Sequence, residues 1–187
     1  MKRLVNISLL IAFSFLAVSH CQAQGNGNGN AWGLNVNIPP VGMIHLASET
    51  STNVSLGIDG PGEAGLGATN TADSSIWVNY TFIKGKNSRP KNHIYAKISN
   101  GSVPSGMTLK VYAKSATSHG KGKKGTPTGE ITLSSTDQKL IENIKTAHTG
   151  RGVGKGHNLV YSLDLSNYNL ANYTSATVLT ITYTITD

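Results

Sequence analysis

Hydrophobic and polar residues alternate along most of this chain, and the alternation continues to its end. In Ser175-Ala-Thr-Val-Leu-Thr-Ile-Thr-Tyr-Thr-Ile-Thr-Asp187, threonine alternates with apolar or aromatic residues. A period of two is that of a half-buried strand, whose successive side chains face opposite ways. The same pattern puts Trp32, Leu34, Val36 and Ile38 on one face of residues 31–38, before Pro39-Pro40 ends the run. Proline has no N–H to give to a ladder. Further strands are predicted at Val41 to Leu46, Asn53 to Ile58, Ile76 to Phe82, His93 to Ser99, Met107 to Ala113, Glu130 to Leu133 and Leu159 to Leu165, with turn-forming residues between them. One stretch departs from the pattern. Ser135 or Thr136 can cap a brief helix through Asn143 or Ile144, with Leu140, Ile141 and Ile144 toward the core.

About eight short strands and one short helix pack most naturally as an all-β fold, an immunoglobulin-like two-sheet antiparallel β-sandwich. That domain is expected over residues 31–187. Ahead of it, Gln24-Gly-Asn-Gly-Asn-Gly-Asn30 has the composition of a flexible linker, residues 24–30. Residues 1–23 have the form of a cleaved signal peptide. Lys2 and Arg3 precede the apolar run Leu9 to Val18, and Cys21-Gln22-Ala23 supplies small residues for cleavage. The expected location is therefore extracellular, cell-surface or periplasmic. Cleavage after Ala23 also removes the only cysteine, so neither a disulfide nor thiol chemistry is expected of residues 24–187.

The chain carries 16 Lys and Arg against 9 Asp and Glu; without Lys2 and Arg3 the balance is 14 against 9, a net +5. The excess is local, concentrated between Lys110 and Lys155. Loops at Ser115 to Gly129 and Thr146 to His157 hold Lys121, Lys123, Lys124, Arg151 and Lys155, the candidate contacts for a glycan or an anionic polymer. Nucleic acid is disfavoured because no aromatic residues interleave with the Gly-Lys run.

No catalytic constellation emerges, and no enzyme, cofactor or metal is expected. Gly120-Lys-Gly-Lys-Lys-Gly125 spells a dinucleotide fingerprint, but that motif needs a following helix, which Thr126-Pro-Thr-Gly129 forbids. In Gly150-Arg-Gly-Val-Gly-Lys155 the glycines are wrongly spaced for a P-loop, and Gly156 stands where a Ser or Thr would meet magnesium. His45, His93, His119, His148 and His157 show no metal-ligand spacing. His148 and His157 flank one loop and could meet in space. The carboxylates are scattered and no Gly-x-Ser-x-Gly elbow is present. Trp32 and Trp77 read most simply as core residues; Trp77 is opposite in phase to Ile76 and Val78, so an outward-facing ring could instead serve as a sugar platform.

The layout resembles that of spore-coat-U-like and archaic chaperone–usher pilin subunits, exported bacterial β-sandwich proteins. The signal, the Gly/Asn linker, the alternating segment Trp32 to Ile38 and the terminal Thr-rich strand with Tyr183 carry this resemblance. It implies a structural or adhesive subunit, fimbria-like, with self-assembly or assembly with other exported subunits. In that mechanism one subunit's extended segment completes a neighbour's sheet. Trp32, Leu34, Val36 and Ile38 are then the donor residues. The alternative is that the same four residues form the molecule's own first strand.

Overall fold

A computed structural model describes residues 39–50, 53–85, 92–169 and 177–186. The expected signal peptide (residues 1–23) and linker (residues 24–30) lie outside the described residues, as do Trp32, Leu34, Val36 and Ile38. Thirteen strands follow one another in the described chain: β1 Val41–Ser48, β2 Ile58–Asp59, β3 Thr69–Asn70, β4 Ala72–Ile83, β5 Asn92–Asn100, β6 Met107–Ala113, β7 Lys121–Gly122, β8 Thr126–Pro127, β9 Ile131–Thr132, β10 Gln138–Ile144, β11 Ala147–His148, β12 His157–Leu165 and β13 Thr180–Ile185.

All pairings are antiparallel. The larger sheet runs β7-β11-β4-β12-β6-β9, with β1 added along β4; the smaller runs β13-β5-β10-β8; β2 and β3 form a small ribbon. The two main sheets face each other as a β-sandwich, because each alternating strand has one apolar side to bury. On β4 that side is Ile76, Val78, Tyr80 and Phe82; on β5 it is Ile94, Ala96 and Ile98; on β6 it is Leu109, Val111 and Ala113, and all are buried. Leu159 and Tyr161 of β12 complete the layer. These strands and their inward faces follow the alternation in the sequence.

Residues 135–144 are not helical, and no helix occurs among the described residues. Gln138–Ile144 is a strand of the smaller sheet, paired with β5, and its register slips twice, between Lys139 and Ile141 and between Ile141 and Ile144. Each slip inserts one residue against the partner, which is a β-bulge. The bulges turn Leu140, Ile141 and Ile144 into the core together, all fully buried. Asn143, at φ 61°, takes the left-handed conformation that asparagine tolerates better than most residues. A bulged strand thus reproduces the spacing of a helical face. A second correction falls on Asn53 to Ile58, of which only Ile58 enters a strand, though Val54 and Leu56 still pack on the core.

The sandwich is sealed differently on its two sides. On one, the segment from β9 to β10 passes between sheets: Leu133 N–H donates to Leu109 O in the larger sheet, and Ser134 O accepts from Ile98 N–H in the smaller. On the other side lie β1 and β13, each the outermost strand of its sheet, with no described segment crossing between them.

Candidate functional site

Two places stand out, the open side and one end of the sandwich. On the open side, β1 pairs with β4 from Val41↔Ile83 to Ser48↔Ile76, and β13 pairs with β5 from Thr180↔Asn100 to Ile185↔Ile94. The register turns Ile44 and Leu46 of β1, and Ile181, Tyr183 and Ile185 of β13, toward the interior. None is fully covered, and Leu46 is 40% exposed. Where the strands come closest, a shallow apolar cleft is lined by Pro40, Val41, Gly42, Phe82, Ile83 and Ile185. Gly42 opens it: a Cβ there would sit 3.6 Å from Ile185 Cγ2, in ordinary contact. The Tyr183 hydroxyl meets that of Tyr161 across the core. Burial pushes the Tyr161 phenol up to about 12 and Tyr183 well above its ordinary value, so both stay neutral.

The second place is the end where β4 finishes and β12 begins. Here the two basic loops meet. Residues of β7 and β11 pair as Ala147↔Gly122 and His148↔Lys121, Lys145 N–H donates to Lys123 O at 3.0 Å, and β11 joins β4 through Ala147↔Phe82. Lys84, remote in sequence, arrives at the same point, its N–H donating to Thr146 Oγ1. The glycines of the Gly-Lys run face inward. At Gly120, φ is +79° and a Cβ would meet His148 O at 1.9 Å; at Gly122 it would meet Thr146 O at 2.2 Å. What spells a nucleotide motif is thus the requirement for two backbones to touch. Lys121 and Lys123, between and beside those glycines, are exposed.

The loop carrying Arg151 and Lys155 is held over the outer face of β4. Asn79, itself buried, donates from Nδ2 to Lys155 O at 2.5 Å and accepts from Gly152 N–H at 2.6 Å. Lys124 does something else: its ammonium donates to the carbonyls of Thr117 and His119. It ties down its own loop and is only half-exposed. Of the five basic residues expected to meet an anionic ligand, Lys124 is therefore a structural tie. Lys84 and Lys145, which sequence reasoning did not single out, stand in the group.

Beneath these loops lies His157, fully buried and stacked on Tyr80 at 5.9 Å between ring centres. Its Nδ1 lies 2.9 Å from Lys114 O and its Nε2 lies 3.2 Å from Lys124 O; a carbonyl can only accept, so whichever nitrogen carries the proton donates to the carbonyl it faces. Nε2 lies 3.2 Å from the Tyr80 hydroxyl, which donates to Lys124 O. Burial holds the imidazole pKa below its ordinary value, partly offset by the hydrogen bonds to the Lys114 and Lys124 carbonyls, while the Lys124 charge adds to the lowering. The pair joins both basic loops to the core.

His148 is exposed on β11 whereas His157 is buried in register with Val78, so the two do not face one another. Among the described residues no three His, Cys, Asp or Glu side chains are placed to hold a metal ion. Trp77 lies on the outer side of β4, opposite Ala47 and Asn158 in register and half-buried; it is not an open platform. No family model, no curated protein and no solved structure matches this chain.

Proposed function

We propose that the protein is an exported structural or adhesive subunit whose immunoglobulin-like sandwich lacks one strand, and that this strand is supplied by the segment Trp32 to Ile38 of another copy. The observation that carries the reading is the open side, where the outer edges of β1 and β13 pair with no further strand among the described residues and half-covered core-facing side chains lie between them. A free edge offers unpaired N–H and C=O groups to an added strand, and alternate side chains fill the pockets below. Trp32, Leu34, Val36 and Ile38 have the required period.

Proline favours assembly between copies over closure within one. Folding residues 31–38 straight back onto β1 would place the hairpin turn at Pro39-Pro40. The favoured two-residue hairpin turns need a positive φ at a central position, and the proline ring holds φ near −65°. Ile38 is restricted to extended conformations by the proline after it.

Gly42→Val tests this. Its Cβ is accommodated and its methyl groups enter the cleft. The variant should fold with an unchanged circular-dichroism spectrum and lose self-association in sedimentation velocity, as should a chain lacking residues 24–38. Multimers that survive both changes would exclude the mechanism.

A further inference from the structure

We propose that the basic end of the sandwich is a docking face for a linear anionic polysaccharide, with Lys84, Lys121, Lys123 and Lys145 at its centre and Arg151 and Lys155 beside them. This site adjoins the cleft of the open side through Phe82 and Ile83 but does not rest on the assembly reading.

The first argument is where the ion pairs fall. Lys97 pairs with Asp137, Lys110 with Glu130 and Asp164, and Lys139 with Glu142. None of the six basic residues of the proposed face takes part in an ion pair among the described residues. Asp73 lies near the start of β4 and Asp164 near the end of β12, at the far end of the larger sheet, and Glu142, opposite Thr126 in register, faces Lys139. Charge is thus segregated along β4 and β12. Like charges brought within a Debye length, about 8 Å at physiological salt, repel one another. That repulsion opposes folding, and a bound polyanion would relieve it.

The second argument is that the charges are held in place. Gly120 and Gly122 press against the backbone of residues 146–148, so the lysines of the run project from a ladder-bound segment. Lys145 is tied to Lys123 through the backbone, and Lys84 to Thr146. A face already ordered loses little conformational entropy on binding.

The chemistry of the cations selects the ligand. Five of the six cations are lysines, point charges without the bidentate fork that arginine offers to phosphate. The described aromatic rings that reach these loops, Tyr80 and Phe82, are buried in the core and cannot stack on a base. Nor does any described residue at this end belong to a helix that could enter a duplex groove. Spaced carboxylate or sulfate groups on a flexible sugar chain fit better than a nucleic acid.

The test is retention of the purified protein on immobilised polyuronate and on dextran sulfate, with neutral dextran as the blank, at low salt. Binding to at least one of the charged sugars is expected, and the two arms tell carboxylate from sulfate. Replacing Lys121, Lys123 and Lys145 by Gln should weaken binding about tenfold or more. It should also lower the log–log salt slope by about 2 to 3, at roughly 0.7–0.9 per contact removed. Replacing Lys97, Lys110 and Lys139 by Gln changes net charge equally and should leave affinity within about twofold, since those ammonium groups already face carboxylates. Equal losses in the two triple variants would show a response to net charge alone and overturn the site. Absence of binding to either charged sugar would overturn it too, as would displacement of bound sugar by an equal charge concentration of duplex DNA.

Discussion

The contact between the two basic loops makes Gly120 a sharp place to probe the fold. Replacing it by alanine asks two things of the chain. The residue must hold φ +79°, which costs an L-residue about 1–2 kcal/mol. Its Cβ must also find room where His148 O lies 1.9 Å away. Gly154 is the control, with φ +74° and no atom within 4 Å of a built Cβ. Gly154→Ala should therefore lose about 1–2 kcal/mol and nothing more. In Gly120→Ala the loop must retreat by more than an ångström, which breaks the short ladder between β7 and β11. Two such hydrogen bonds add about 2 kcal/mol to the loss, at roughly 1 kcal/mol each. In urea the two midpoints should differ by about 1 M, given a slope near 2 kcal/mol per M. Equal midpoints would refute the claim that close backbone approach, rather than turn geometry, fixes glycine at this position.

Two more outcomes follow from His157 and Asn143. His157 has a folded-state pKa lowered from that of the unfolded chain, near 6.5, so the unfolded state binds the extra proton. Its contribution to stability is complete above about pH 6.5 and is lost as pH falls from there through the folded value; in His157→Asn the urea midpoint should fall less between pH 7.5 and pH 5 than in the parent. Asn143 sits at φ 61° inside the bulge. Asn143→Gly should keep the urea midpoint, while Asn143→Val should lose about 2 kcal/mol, because a β-branched residue is a steric outlier there.

The alternating strands were legible because each buries one face and wets the other. Ile76 to Phe82 and Met107 to Ala113 are the plainest cases, and their inward residues are the ones found buried. Residues 138–144 misled because a bulge changes the count of residues per side without changing which side is apolar; Leu140, Ile141 and Ile144 mimic a helical face for that reason. The basic end was legible only as composition. Nothing local distinguishes Lys123, exposed, from Lys124, turned onto two carbonyls. The convergence of Lys84 with Lys145 is set by β4 and β11 pairing across more than sixty residues. The Gly-Lys run looked like a loop because its glycines answer to a second backbone that the local sequence does not show.

The two strands at the unsealed side are the first and the last of the described chain. β13 supplies one flank of the smaller sheet and the Tyr183 hydroxyl that meets Tyr161. β13 is therefore synthesised after every other described strand, and the smaller sheet gains that flank last. Until then β5 would present a bare flank to the surroundings, so anything that escorts the nascent chain would find its handle there.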